Sequence, residues 1–194
     1  GHGRISAGGV VGAWAYKPLV VYDINGNEIS QLIRHQVFVH PGASVTLWDR
    51  LRVSTSLPIA LFQNGKSLSA NDKTYTAPEG AIGDLRLSAD ARLFGEYGKP
   101  VTLAAGGELY FPTGSRVNYT SDGTVRFTPR VQVAGDISLF TYAANAGFAI
   151  RPLNETYDRN PLGHEVVFGA AAGARLANKK LVVGPELWAT SIVD

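Results

Sequence analysis

Eleven residues, Asp84 to Phe94 (DLRLSADARLF), constrain the fold of this chain more than any others. Leu85, Leu87, Ala89, Ala91 and Leu93 carry no polar side-chain atom, while Asp84, Arg86, Ser88, Asp90 and Arg92 are all polar. A period of two is that of a β-strand, whose side chains alternate between two faces. Two architectures fit such a strand. In a soluble sandwich the apolar face is the core, and in a membrane barrel it meets lipid while the charged face lines the interior.

The remaining segments repeat the pattern. About nine strands can be read. The first runs from Arg4 to Tyr16, with an extension toward Val21, and is followed by an Asn-Gly turn in DINGN (Asp23 to Asn27). The others are His35 to Trp48, Leu51 to Phe62, Asp84 to Phe94, Pro100 to Phe111, Val125 to Ser138, Phe140 to Arg151, His164 to Leu176 and Leu181 to Val193. Their connections alternate without exception. The long ones are the link from the first strand to the second and the stretches Gln63 to Gly80, Pro112 to Thr124 and Pro152 to Gly163. The tight ones are Asp49–Arg50, Gly95 to Lys99, Leu139 and Ala177 to Lys180. In up-and-down antiparallel order all long loops fall at one end and all tight turns at the other, as in outer-membrane barrels. A strand of that length rises ~25 Å when tilted ~45°, the height of the apolar band of such barrels.

Composition narrows the alternatives only in part. The 194 residues suffice for one large domain or one barrel, and a net charge of +2 implies no pull toward nucleic acid. With no cysteine there is no disulfide framework and no thiolate chemistry. No run of 18 apolar residues offers a transmembrane helix, which says nothing against a barrel. The polar strand face mixes charges of both signs with glycine and alanine, a composition that suits a crowded interior better than a solvated outer face. Aromatic residues gather near strand ends, at Trp14, Tyr16, Trp48, Phe62, Phe94, Tyr97, Tyr110, Phe111, Phe140 and Tyr142.

The expected fold is therefore all-β, an antiparallel up-and-down transmembrane β-barrel formed as a single domain over 1–194, with a soluble β-sandwich or β-barrel binding module as the alternative. The expected lumen-lining charges are Asp84, Arg86, Asp90, Arg92, Glu108, Arg126, Arg130, Asp136, Glu165, Arg175 and Glu186. They serve either to pair across a narrow interior or to select what passes. No catalytic or metal constellation emerges, and no cofactor is expected. His35 and His40 lie five residues apart on opposite strand faces, and His2 and His164 are isolated. SAGGVVG and GAAAGAR lack the helix and Lys-Ser/Thr of a phosphate loop. Asp72 and Asp122 sit in oxygen-rich loops that suit calcium or, more simply, turns. Asn118 and Asn154 fit the glycosylation pattern by coincidence.

SLPIALFQ (Ser56 to Gln63), AIGDLRLSADARLFG, GGELYFPTG, YAANAGFAIR and LVVGPELW together resemble the barrel part of OmpA-like outer-membrane proteins of the δ-proteobacterial, myxobacterial type. The resemblance covers most of Leu51 to Val193 and rests on strand phrases, not on a catalytic motif. It implies a non-enzymatic anchor, pore or cell-surface protein of the bacterial outer membrane, with membrane lipid as its main partner. Family members carry further strands. Single-chain bacterial barrels close with an even number of strands, so an odd count leaves two edges to be paired. The expectation is a further C-terminal segment of about three strands, or a partner chain, beside Arg4–Tyr16 and Leu181–Val193.

Overall fold

A computed structural model describes residues 4–8, 13–70, 73–152, 155–157, 160–178 and 180–193. In chain order the strands are β1 (Arg4–Gly8), β2 (Ala13–Tyr22), β3 (Glu28–Val39), β4 (Gly42–Leu47), β5 (Leu51–Ser56), β6 (Ile59–Asn64), β7 (Leu68–Ala70), β8 (Lys73–Tyr75) and β9 (Ala81–Ile82). They continue as β10 (Leu85–Gly95), β11 (Thr102–Phe111), β12 (Arg126–Ile137), β13 (Phe140–Ala149), β14 (Glu155–Tyr157), β15 (Asn160–Leu162), β16 (His164–Leu176), β17 (Leu181–Val183) and β18 (Glu186–Val193). No helix occurs among the described residues.

The main sheet is a meander, β1-β4-β5-β10-β11-β12-β13-β16, with β17 and β18 sharing the edge beside β16. Its ten segments thus occupy nine positions, every pair antiparallel. The second sheet, β2-β3-β6-β9, belongs to the same passes of the chain. β3 runs into β4 through His40–Pro41, and β5 runs into β6 through Leu57–Pro58. Each proline lacks the N–H that a central ladder needs, so the ladder breaks there. Their carbonyls still accept, from Leu57 N at 3.0 Å and from Gly83 N at 2.7 Å.

Turn chemistry sets the register. Arg50 N donates to Leu47 O at 3.0 Å, and Trp48 and Asp49 have φ of 50° and 53°, the left-handed pair of a type I′ hairpin turn. The turn centres on Trp48–Asp49, one residue earlier than Asp49–Arg50. At the DINGN turn, Asp23 Oδ1 accepts from Asn25 N and Asn27 N, both at 2.8 Å, and Gly26 takes φ 83°. The strand that follows begins at Glu28, not at His35. Its early residues alternate poorly because the β2–β3 register shifts three times. The connection 63–80 contains the β7–β8 hairpin and 152–163 contains β14–β15.

The charged face of the main sheet is the more covered of its two faces. On β10, Asp90 is 7% exposed while Leu87 is 40% exposed; Val131 on β12 and Phe168 on β16 reach 55% and 54%. Apart from two prolines, Pro58 and Pro78, the buried apolar side chains among the described residues are Leu32, Ile33 and Ala60, all three in the smaller sheet. On β10 the expected alternation fails near its end. Arg92 pairs with Ala104 and Phe94 with Leu103, so Leu93 is the extra residue of a bulge. The bulge carries Phe94 onto the apolar face, which strict alternation would have denied it.

No closed barrel is found among the described residues. Among the described residues no pairing joins β1 or β2 to β17 or β18.

Candidate functional site

The charged side chains of the polar face assemble in three tiers along the strand axis. The middle tier centres on Arg130 of β12. Its Nε and Nη2 donate to the two carboxylate oxygens of Asp90 at 2.9 and 2.7 Å, and its Nη1 donates to Glu108 at 2.7 Å. Gln132 Nε2 adds a further donation to Asp90 at 2.8 Å. Asp90 and Arg130 stand two strands apart, and the residue between them in the same row is Gly106. A Cβ at Gly106 would lie 2.5 Å from Asp90 Oδ1 and 2.2 Å from Ala89 O. Glycine here clears the path by which the guanidinium crosses a whole strand to make a two-pronged pair.

Toward the long-loop end, five groups link in series. Asp84 meets Arg126 at 3.1 Å, Arg126 meets Asp122 at 3.2 Å, Asp122 meets Arg151 at 3.0 Å, and Arg151 meets Glu165 at 2.8 Å. Asp84 is 3% exposed, and Gly114 N also donates to it at 3.2 Å. Near the tight turns, Arg175 of β16 pairs with Asp136 of β12 at 2.7 Å. Desolvated charges of this kind persist only when paired, and these are paired across strand after strand.

Other candidates behave differently. Arg86 does not reach Glu108, which Arg130 holds; it stacks on the Tyr110 ring at 5.2 Å, with Arg126 over the same ring at 4.5 Å. Among the described residues Arg92 forms no ion pair, and Glu186, opposite Ala171 on the exposed last strand, forms none either. Asp122 meets two arginines, Arg126 and Arg151, through one carboxylate oxygen, Oδ2, at 3.2 and 3.0 Å. His35 lies against Trp14 and Tyr16, and His164 Nδ1 accepts from Arg151 N at 3.2 Å. His2, Asp72 and Asn154 lie outside the described residues. Asn118 is engaged within its loop region: its carbonyl accepts from Gln63 and its side chain from Glu79 N. No metal-binding group of His, Asp and Glu occurs among the described residues.

The sequence reading passed over Arg151, Asp122, Gln132, Tyr110 and Gly106 as partners. For Arg151 the signal was present: it continues the polar alternation Thr141, Ala143, Asn145, Gly147, Ala149 of its strand. For Gly106 no signal exists without the register.

A cleft of about 470 Å³ opens on the polar face, walled by Ser44, Arg52, Ser54, Arg86, Ser88 and Glu108 among others. Its walls come from five consecutive strands, β4, β5, β10, β11 and β12. The sheet therefore curls toward its charged side.

Comparison of the chain with known protein families, with curated proteins and with solved structures finds no match in any of the three.

Proposed function

We propose that this chain is the membrane-embedded strand region of a bacterial outer-membrane β-barrel, acting as anchor, pore or cell-surface protein. One observation carries the reading: the sheet covers most of its arginines and carboxylates, Arg52 and Glu186 excepted, and exposes many of its leucines, valines and phenylalanines. In water that arrangement is costly, at roughly 25 cal/mol for each Å² of apolar surface left exposed. In lipid it is the arrangement of lowest free energy, because hydrocarbon solvates the apolar face and the charges pair away from it. The strands support the same reading by length: β10, β11, β12, β13 and β16 run 11, 10, 12, 10 and 13 residues, against ~9–11 for a tilted membrane strand. Closure into a barrel requires pairing at β1 and at β17–β18, by further chain or by a partner, since an open edge in hydrocarbon leaves N–H and C=O groups without acceptors and donors.

The test is refolding from urea into phospholipid vesicles and, in parallel, into detergent-free buffer. β-structure and protease resistance gained only with lipid are expected. A monodisperse folded protein in buffer alone would overturn the reading and favour a soluble β-sandwich module.

A further inference from the structure

We propose that the cleft on the polar face is a binding subsite for a small, phosphate-sized oxyanion, held by the guanidinium groups of Arg52 and Arg86. A rung of hydroxyls runs across the cleft. Ser44, Ser54 and Ser88 occupy one row across β4, β5 and β10, and the Ser54 and Ser88 hydroxyls lie 2.6 Å apart. All three line the cleft. Arg52 sits two residues to one side of the rung and Arg86 two residues to the other. Their backbones are thus ~13 Å apart, a gap that two arginine side chains can close on an anion placed over the serines.

Neither arginine is neutralised by the protein. Arg52 stands directly opposite Asp90 in the register, yet both Asp90 oxygens are taken by Arg130 across Gly106, with Gln132 on one of them. Arg52 pairs through its backbone with Thr46 and Asp90, while its exposed side chain, among the described residues, enters no ion pair or hydrogen bond. Arg86 has only the Tyr110 face, and its buried Nε lacks an acceptor. A buried donor left without an acceptor is unfavourable, and an oxyanion would fill it. Three arginines (Arg52, Arg86, Arg130) and one carboxylate (Glu108) line the cleft, and even with Asp90 behind Arg130 counted, one positive charge is left over. Both carboxylates are engaged by Arg130, so the free donors belong to Arg52, Arg86 and the serines. Planar guanidinium forks and hydroxyls form the donor set that oxyanions accept from.

As a binding site the cleft stands on the geometry of the polar face; as a station on a permeation path it rests on the membrane reading. The experiment separates the two. The chain is folded in detergent micelles, or in buffer should it prove soluble, and titrated with inorganic phosphate while the Ser54 and Ser88 amide resonances are followed. Saturable shifts are expected for the unmodified chain. They should weaken at least tenfold in Arg52→Gln/Arg86→Gln and persist in Arg92→Gln, whose charge is on the same face but outside the cleft. Arg86→Lys, which keeps the charge over Tyr110, guards against loss of fold and should retain part of the binding. No saturable shift in the folded chain, or equal binding by the double glutamine variant, would overturn the subsite. Failure to enter vesicles would count against the membrane reading alone. In a planar bilayer under a potassium chloride gradient, the subsite predicts a reversal potential displaced toward chloride that moves back toward zero in the double variant.

Discussion

At the scale of single residues, the balance is set by which face a charge occupies. Leu87 and Arg86 are neighbours in sequence and opposites in environment: Leu87 is on the exposed apolar face, and Arg86 is partly covered over Tyr110. Leu87→Arg should cost about 2–4 kcal/mol in a bilayer-folding titration, as for a cation on the lipid face near the midplane. Arg86→Leu should leave insertion nearly unchanged and act on the interior instead. Equal effects would contradict the assigned faces. Asp90→Ala leaves Arg130 with one carboxylate instead of two, and should destabilise the folded chain by roughly 3 kcal/mol in a urea titration. Little change would mean that Glu108 alone suffices. Outside the proposed membrane span, the Asp23 carboxyl lies below the ordinary aspartate range, chiefly because the Asn27 side chain and then its backbone N–H donate to the charged form. A carboxyl whose folded pKa is depressed contributes stability above its unfolded pKa, and that contribution is lost as pH falls through the folded value. Carbon-detected titration should therefore give Asp23 a midpoint below ~3.9, and a midpoint at or above that value would break the turn assignment.

At the scale of elements, period two and turn chemistry made the nine passes legible. Each polar–apolar alternation names a strand, and the tight turns leave little freedom in how consecutive strands meet. What sequence could not supply was the lateral row. That Asp90 faces Arg130 over Gly106 depends on two registers at once, β10 to β11 and β11 to β12. The Leu93 bulge is hidden for a similar reason: Leu93 and Phe94 are both apolar, so either can take the outer face until pairing decides. On that outer face the Phe127 ring covers Gly107, coming within 2.6 Å of where a Cβ would sit. An alanine- and glycine-rich row is thus thickened by a neighbour's aromatic ring, which a strand read alone cannot reveal. The connections 63–80 and 112–124 meet each other, through Gln63 and Glu79 to Asn118 and through the Tyr119 hydroxyl to Thr76 O at 3.3 Å. If this end faces the cell exterior, protease added to intact cells should cut within those connections and spare Trp48–Arg50. Cleavage at Trp48–Arg50 would reverse the orientation.

At the scale of the whole molecule, the account rests on a solvent inversion: charge within, hydrocarbon without. The absence of cysteine makes this directly measurable, because each cysteine introduced into the chain carries the only nitroxide label. Labels placed one at a time from Leu85 to Gly95 in vesicle-bound protein should show collision rates with dissolved oxygen that peak at 85, 87, 89 and 91. The Leu93 bulge should break the rhythm, so that 94 is lipid-exposed as well. Positions 86, 88, 90 and 92 should be protected from oxygen. The opposite phase, with 86, 88, 90 and 92 facing lipid, or no alternation between lipid-exposed and protected sites, would contradict the account.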